Sequence, residues 1–287
     1  MRRAIAVAAL CLSGACTTPA QVAPGPVQAA PTPAAQADAG PLSIGETFTM
    51  PSAALNETRR INVYLPPGYQ EAAAHRFPVL YMPDGGMAED FLHVAGLVQV
   101  GVGNGTMRPF ILIGIENTER RRDMTGPTTV EADRRIAPRV GGSAAFRTFI
   151  RTELMPRIRE RYRTTDETAI VGESLAGLFV VETFLLEPAL FDTYIAFDPS
   201  LWWNGQALVR GAGERLRAQP VAGKTVYLAS SGDAGLEEPI RTLAADLRAS
   251  EARGLRWFYH PMPEEKHATI YHPAALRAFR TVFKPAS

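Results

Sequence analysis

The sequence predicts an α/β fold in which a mostly parallel central sheet carries helices on both faces. Residues 48–50 and 60–65 alternate between apolar and polar side chains, as two hairpin-like strands do. From residue 77 onward, short apolar strands alternate with helical segments, which is typical of parallel sheets that are buried on both faces. Ligands of such sheets bind beyond the carboxyl ends of the strands, so the residues that follow each strand are the candidates for a site.

Each further element has its own local signal. Proline and glycine at residues 66–68 close the second strand, and the Pro-Asp-Gly-Gly segment 83–86 closes the third. Apolar side chains in the segment 143–162 recur at helical spacing, which predicts a helix there. The later strands are predicted over residues 77–82, 110–115, 168–171, 194–197, 226–229 and 255–259. The helices are predicted over residues 143–162, 175–186, 238–253 and 273–283.

Residues 1–15 predict an export signal, because a basic start is followed by an apolar run and small residues. The run is too short to cross a bilayer as a helix of the mature protein. Cleavage before Cys16 would leave that residue first in the mature chain, which resembles a bacterial lipoprotein whose cysteine carries lipid. We therefore expect a periplasmic or membrane-anchored protein of a Gram-negative bacterium. The alternative is an ordinary secreted protein that is cut slightly later.

Residues 16–41 are rich in alanine, proline and glutamine and predict a flexible tether. Residues 42–287 then form one α/β domain. The net charge of +1 gives no indication of a nucleic-acid partner. Contact with a membrane is expected only through the N-terminal lipid.

The segment 170–177, Ile-Val-Gly-Glu-Ser-Leu-Ala-Gly, has the layout of a nucleophile elbow. An apolar strand stops at Gly172, Ser174 follows, and a helix begins at once. Small residues are needed because the turn is strained and neighbouring backbone passes close by. Ala176 stands where the pattern G-x-S-x-G has its second glycine, and Gly177 follows. The alternative is a strand that ends in glycine before a helix capped by Ser174.

A catalytic serine needs a base and an acid, which follow it along the chain in the order acid, then histidine. Of the five histidines, His267 lies in the loop after the last strand, where the base is expected. Asp233 follows the preceding strand and ranks first as the acid, with Glu238 and Asp198 behind it. Each of these residues also has a purely structural interpretation, as a surface loop histidine, a turn residue or a helix N-terminal acid.

The oxyanion of such a reaction is held by two backbone N–H groups. The first is expected from Leu175, directly after the serine. The second is expected from Gly85 or Gly86, where the Gly-Gly pair after the third strand allows close approach of the backbone. A simple Gly-Gly turn is the alternative.

Several segments in order resemble the Putative esterase family of α/β hydrolases, and most closely its enterochelin-esterase-like bacterial branch. The resemblance runs from about residue 59 to residue 283 and is carried by segments 79–85, 113–118, 122–125, 171–177 and 198–203 and by Glu265 and His267. It implies the α/β-hydrolase fold and hydrolysis of a small-molecule carboxylic ester through an acyl-enzyme, without metal or cofactor. The family's usual glycine is replaced by Ala176, and the acid varies within this branch.

The substrate is the least defined part of this interpretation. Trp202 and Trp203 are candidates to line a pocket, and Arg122, in an arginine run over 120–122, is a candidate to meet an anionic ligand. Both features have alternatives, as core residues and as a solvated charged face. By analogy with the family, a siderophore-like ester is the expected substrate. Two other functions remain open: a catalytically silent lipoprotein that binds a ligand at the cell envelope, and an acyltransferase.

Overall fold

An eight-stranded mixed sheet runs through residues 40–285, the part of the chain that the computed structural model describes. The strand order is β1-β2-β4-β3-β5-β6-β7-β8. β1 and β2 pair antiparallel, β2 pairs antiparallel with β4, and all other pairs are parallel. The strands are β1 (Glu46–Ser52), β2 (Glu57–Tyr64), β3 (Phe77–Pro83), β4 (Ile111–Ile115), β5 (Thr164–Glu173), β6 (Thr193–Phe197), β7 (Thr225–Ser231) and β8 (Arg256–Met262).

Helices connect the parallel strands and cover the sheet. They are α1 (Phe91–Gly103), α2 (Arg120–Asp123), α3 (Glu131–Arg134), α4 (Ser143–Phe149), α5 (Met155–Arg161), α6 (Ser174–Leu186), α7 (Trp203–Arg210), α8 (Ala212–Ala218), α9 (Glu237–Arg248) and α10 (Tyr271–Val282). A π-helical turn, Ile150–Leu154, joins α4 to α5, and a short 3₁₀ turn, Glu251–Arg253, precedes β8.

The sheet is buried on both faces, so its central strands are continuous apolar runs. Every residue of β3, β4, β6 and β7 is buried. One core contains Phe179 of α6 and Leu243 of α9, and the other contains Val94 of α1 and Phe279 of α10. These two cores lie on opposite faces of the sheet, which confirms the predicted α/β class with helices on both sides.

Several helices differ from the sequence prediction: α1, α2, α3, α7 and α8 are not predicted, and one predicted helix is divided. The sequence does not predict α7 and α8, because α7 opens with three residues of positive φ, Asn204 (49°), Gly205 (56°) and Gln206 (66°). A left-handed turn of this kind interrupts the apolar period on which helix prediction depends. The single helix predicted over 143–162 is divided by the π-helical turn, directly before Pro156, whose missing N–H breaks the hydrogen-bond ladder.

The compact unit of the structure begins at Ser43. The predicted export signal, the lipid attachment at Cys16 and nearly all of the predicted tether lie outside the described residues. Within residues 40–285, no helix has the length and apolar character that a membrane span requires.

The topology brings several chain segments together at one edge of the sheet. Strands β3 to β8 all run in the same direction, so their carboxyl ends share that edge. The loops after β3, β5, β6, β7 and β8 therefore meet there, and these loops contain the residues that the sequence singles out.

Candidate active site

Ser174 lies on a sharp turn between β5 and α6. Strand β5 ends at Glu173, α6 begins at Ser174, and Ser174 has a φ of 59°, in the left-handed region. The turn requires glycine at 172, since a Cβ there would lie 2.5 Å from the Ala176 carbonyl carbon and 2.7 Å from its Cβ. Ala176 is itself fully buried. The position that usually carries glycine thus accepts a methyl group, and Gly172 provides the space for it.

Gly177 allows α6 to approach the end of β6. A Cβ on Gly177 would lie 3.1 Å from the Phe197 carbonyl oxygen and 3.1 Å from the Pro199 Cα. The Ser174 carbonyl accepts a hydrogen bond of 3.0 Å from the Ser200 N–H, which fixes the elbow to the loop after β6. The elbow and the loop that carries Asp198 are therefore one packed unit.

His267 lies in the loop between β8 and α10, with its ring directed at the elbow. Its Nε2 is 3.0 Å from the Ser174 Oγ, a hydrogen-bond distance. With the ring proton on Nδ1, Nε2 is free to accept the serine proton. Ser200 Oγ is the other hydroxyl near the nucleophile, at 3.5 Å from Ser174 Oγ.

Asp198 is the carboxylate that contacts the other side of the ring. Its Oδ2 is 3.1 Å from His267 Nδ1, and its Oδ1 accepts a 2.6 Å hydrogen bond from the Ser231 N–H. The side chain is fully buried, and Asp198 has a φ of 40°. The hydrogen bond from the ring to Asp198 raises the pKa of His267 above its ordinary value.

The structure corrects the ranking of the acids. Asp233, ranked first, does not face the imidazole: its Oδ2 accepts a 2.7 Å hydrogen bond from the backbone N–H of His267, and Lys266 Nζ is 3.5 Å from its Oδ1. The hydrogen bond from the His267 N–H lowers the pKa of Asp233. Glu238 is exposed in the first turn of α9, beside Thr242. Asp198 contacts the ring from the loop after β6, which is the immediate neighbour of β5 in the sheet.

Among the predicted oxyanion donors, Leu175 is well placed and the glycines are engaged elsewhere. Leu175 is buried in the first turn of α6, where N–H groups have no partner within the helix. The Gly85 N–H donates to the Ile115 carbonyl at 3.0 Å, because the pairing of β3 with β4 continues past Pro83. The Gly86 N–H donates to Glu89 Oε2 at 2.6 Å. The role of Gly85 is steric, since a Cβ there would lie 2.2 Å from the Gly114 Cα.

Comparison with known proteins agrees with this architecture. The family model described as Putative esterase matches residues 52–252. This chain belongs to that esterase family. The ferri-bacillibactin esterase BesA of Bacillus subtilis (strain 168) is 26% identical to this chain over 275 residues. The match covers 83% of this chain and 92% of the relative.

Solved structures give the same fold. An IroE-like serine hydrolase from Shewanella oneidensis is 28% identical to this chain. Its TM-score is 0.75, and the match covers 83% of this chain and 80% of the hydrolase. The BES protein from Bacillus cereus, at 22% identity, has a TM-score of 0.70 over 88% of this chain and 100% of its own. The predicted α/β-hydrolase fold is confirmed.

The arginine singled out by sequence is part of the framework of the esterase. Arg122 donates to Glu57 and Asp123, and its side chain is 14% exposed. Asp123 also pairs at 2.6 Å with Arg59, and both of those side chains are fully buried. Arg122 is therefore held in an ion network that ties β2 to α2. It does not present a free cation to a ligand, because its donors already meet two carboxylates.

The neighbouring Arg120 faces the elbow side of the sheet edge, through its charge interaction with Glu173. Its guanidinium makes two hydrogen bonds, of 2.7 and 2.8 Å, to the carboxylate of Asp84 after β3. Burial lowers the pKa of Arg120, but its hydrogen bonds and charge interactions with Asp84 outweigh burial and raise it. Glu173 adds to the negative charge that Arg120 faces. Sequence reasoning names the arginine run but does not separate Arg120 from Arg122.

The two tryptophans have different environments. The Trp203 indole N–H donates at 2.9 Å to the Gly126 carbonyl, and the residue is buried, so Trp203 belongs to the core. Trp202 remains 38% exposed and follows Ser200, which is bonded to the elbow. Only Trp202 has a surface that a ligand of the esterase can reach.

Sequence reasoning missed Glu173, the residue directly before the nucleophile. Its Oε1 lies 3.2 Å from His267 Nδ1, so the ring nitrogen faces a second carboxyl group beside Asp198. Burial raises the pKa of Glu173 to about 8, although the nearby His267 and Arg120 act to lower it. The available signal was a carboxylic acid at the x position of an otherwise small-residue motif.

Proposed function

We propose that the esterase hydrolyses carboxylic esters with Ser174 as nucleophile, His267 as general base and Asp198 as the acid that orients it. The observation that carries this proposal is the continuous line of contacts from Ser174 Oγ to His267 Nε2 and from His267 Nδ1 to Asp198 Oδ2, at 3.0 and 3.1 Å. Each distance is within hydrogen-bond range, and the order is that of a serine hydrolase triad.

The chemistry follows from this geometry. Ser174 Oγ attacks the acyl carbon while its proton passes to His267 Nε2, and Asp198 stabilises the imidazolium that forms. The Leu175 N–H donates to the oxyanion. The imidazolium then protonates the leaving alcohol, and the acyl group remains on Ser174. A water molecule, deprotonated by the neutral ring, attacks the acyl-enzyme and releases the acid.

We also propose that the substrates are siderophore-like esters. Support comes from relatives whose names state this activity, such as the ferri-bacillibactin esterase of Bacillus subtilis and a siderophore triacetylfusarinine C esterase of Aspergillus fumigatus, 34% identical over 98 residues. Trp202, which is 38% exposed and lies two residues after Ser200, whose N–H is bonded to the elbow, adds an aromatic surface on which a catechol ring can pack.

The catalytic assignment is tested by fluorophosphonate labelling and by turnover of p-nitrophenyl butyrate. We expect labelling of the wild type, loss of labelling in Ser174→Ala, and a large loss of turnover in His267→Ala. The matched control is Ser200→Ala, which removes the neighbouring hydroxyl and should leave the label in place. A wild type that neither labels nor turns over favours the silent ligand-binding alternative and overturns the proposal.

The substrate class is tested by following the hydrolysis of enterobactin and triacetylfusarinine C by chromatography. We expect kcat/KM for one of these esters to exceed that for p-nitrophenyl butyrate by at least about tenfold, since remote contacts add binding energy in the transition state. A higher value for the short ester would contradict the siderophore assignment and leave the hydrolase assignment intact. A product in which an added alcohol carries the acyl group would instead identify acyl transfer.

We further propose that the chain is exported and anchored by lipid on Cys16. Support comes from the basic start, the apolar run and the small residues that precede this cysteine in the sequence. Mass spectrometry of the mature N-terminus tests the proposal. A diacylglycerol-modified Cys16 is the expected result, and an unmodified terminus beyond Cys16 contradicts it.

A further inference from the structure

Among the acids of the described residues, Glu173 is the one that ends β5 and directly precedes the nucleophile Ser174. Its Oε1 is 3.2 Å from His267 Nδ1, only slightly farther than the Asp198 Oδ2 at 3.1 Å. The Glu173 side chain is 15% exposed, and Oε1 makes no hydrogen bond with any group in residues 40–285. The neutral ring has one proton on Nδ1, which it donates to Asp198. The Glu173 carboxyl group is therefore in contact with Nδ1 but accepts no hydrogen bond from it.

Charged and titratable groups from several elements surround Glu173. They come from the loop after β8, the loop after β6, α2, the loop after β3 and α10, and they are His267, Asp198, Arg120, Asp84 and Tyr271. Two of the five are carboxylates, and the guanidinium of Arg120 already makes two hydrogen bonds to Asp84. Burial is the main effect that opposes a negative charge at Glu173; Asp198 and Asp84 add to it, whereas His267 and Arg120 favour the charge.

We propose that Glu173 is a second acid on the His267 ring, a positioning residue that is neutral in the resting enzyme near neutral pH and strengthens the base when it ionises. This inference rests on the proposed function, because it assumes that His267 is the base. Asp198 and Glu173 both face His267 Nδ1, and each has a different role.

The environments of the two acids separate their ionisation. The Asp198 carboxylate accepts hydrogen bonds from two donors, the His267 ring and the Ser231 N–H. Glu173 has no such donors on Oε1, and burial disfavours its charged form, which raises its pKa to about 8. A buried carboxyl group that accepts no hydrogen bond on one oxygen holds its proton longer than a carboxyl group in water.

Ionisation of Glu173 has a defined effect on the base. A second negative charge at 3.2 Å from Nδ1 favours the imidazolium that develops in the transition state. The rate should therefore rise in two steps with pH, first as His267 loses its proton and again as Glu173 ionises. A residue that only fills space would change the rate by the same factor at every pH.

The test is the pH dependence of kcat for p-nitrophenyl butyrate in wild type and Glu173→Gln, from about pH 6 to about pH 10, with the spontaneous rate subtracted. Glutamine has the shape of the neutral acid but cannot ionise. We expect the two proteins to agree within about twofold near pH 6.5 and the wild type to be about fivefold faster above pH 9. The matched control is Glu160→Gln, an exposed glutamate on α5 paired with Arg157, which should keep the wild-type profile.

Two further variants guard against a folding defect and an indirect effect. Glu173→Asp keeps an ionisable group and should retain the alkaline rise. In Asp198→Asn, Glu173 becomes the remaining acid, so residual activity should rise as Glu173 ionises, at a lower pH than in the wild type because Asp198 raises the pKa of Glu173. This residual activity should be absent from the double variant with Glu173→Gln.

Identical pH profiles for wild type and Glu173→Gln, or an equal loss at every pH, overturn the inference. So does a double variant that matches Asp198→Asn throughout. Activity that survives Ser174→Ala overturns the proposed function itself. Activity that depends on Ser174 but has an unchanged profile overturns only the role of Glu173.

Discussion

Three residues at the carboxyl ends of strands, Asp84, Ser174 and Asp198, have φ angles of 59°, 59° and 40°. A non-glycine residue in this region costs on the order of 1–3 kcal/mol and persists only where the surrounding structure holds it. Each of the three contributes a polar side chain to the site: Asp84 to Arg120, Ser174 to His267, and Asp198 to His267. The positive φ angles of this sheet edge therefore occur at residues whose side chains meet in the candidate site.

The first prediction separates the two aspartates. Asp198→Asn should lower kcat by about 10³ to 10⁴, because the ring loses the anion that holds its tautomer and stabilises the imidazolium. It should also shift the acid limb of the pH profile to lower pH, since the bond to Asp198 raises the pKa of His267. Asp233→Asn, which changes only a partner of the loop backbone, should cost about tenfold at most. A larger loss of kcat in Asp233→Asn would indicate that Asp233 is the catalytic acid.

The second prediction concerns the space inside the elbow. Gly172→Ala places a Cβ within 2.7 Å of the Ala176 Cβ, so we expect a stability loss of about 1–3 kcal/mol and loss of fluorophosphonate labelling. Ala176→Gly restores the usual motif and should keep both labelling and turnover, with a cost of about 1 kcal/mol in the helix. Thermal unfolding and labelling check both variants. Wild-type labelling in Gly172→Ala would show that the turn tolerates a side chain.

At the scale of elements, the loop between β3 and α1 is closed by its own glutamate. Glu89 Oε2 accepts the Gly86 N–H at 2.6 Å, and Oε1 lies 3.3 Å from the Asn117 N–H, in the manner of a capping-box side chain. Burial raises the pKa of Glu89. An oxyanion that needs the Gly86 N–H would have to displace this carboxylate, because one N–H cannot serve both acceptors well.

The third prediction follows from that competition. Glu89→Ala should raise kcat by about tenfold, since it frees a donor and removes a negative charge from the oxyanion site. The measurement is kcat for p-nitrophenyl butyrate at fixed pH, with thermal unfolding as the control for loop integrity. A fall in kcat would mean that Glu89 holds the loop in its working conformation rather than occupying the donor.

At the scale of the whole molecule, an ion network fastens the antiparallel strands to the parallel sheet. Arg59 is fully buried on β2 and pairs with Asp123 of α2 and with Glu57. Arg122 closes the network through Glu57 and Asp123. Removal of one partner from a buried pair costs more than the pair contributes, since a charge is left without compensation. The hairpin β1–β2 therefore depends on charge as well as on apolar packing.

The fourth prediction is an acid sensitivity of unfolding. Burial raises the pKa of Glu57, but hydrogen bonds from Arg122, Arg59 and Thr118 outweigh burial and lower the pKa to about 2. A lowered folded-state pKa stabilises the protein above the ordinary value of 4.5, and this contribution disappears as the pH falls from there towards about 2.

Glu57→Gln should remove about 2 kcal/mol of the free energy of unfolding near neutral pH, after allowance for solvent screening, and should flatten its dependence on pH below about 4.5. Urea unfolding of both proteins at several pH values measures this effect. Parallel curves for the two proteins would contradict it.

The strands, the elbow and the base loop were predictable because each has a local signal. The apolar run before Gly172 and the small residues around Ser174 define the turn without any knowledge of distant contacts. The loop that contains His267 follows from strand order alone. These inferences need only the rule that ligands meet the carboxyl ends of parallel strands.

The identity of the acid and the role of the arginines were not predictable in this way. Both Asp198 and Asp233 follow a strand, and the sequence does not tell which side chain turns to the imidazole and which turns to the backbone. That choice depends on the conformation of the loops, in which Asp198 has a positive φ. Arg122 is a framework residue because β2 brings Glu57 to it, a contact between distant parts of the chain, while Asp123 is its neighbour on α2.

The spacing of the site along the chain has a consequence for folding. Ser174 and His267 are 93 residues apart, and His267 and Asp198 are 69 residues apart. Non-local contacts of this kind form only after the loop-closure entropy of the intervening chain has been overcome. Esterase activity should therefore return late during refolding, after helix formation and collapse, and its recovery reports the docking of β5, β6 and β8 rather than the growth of any one element.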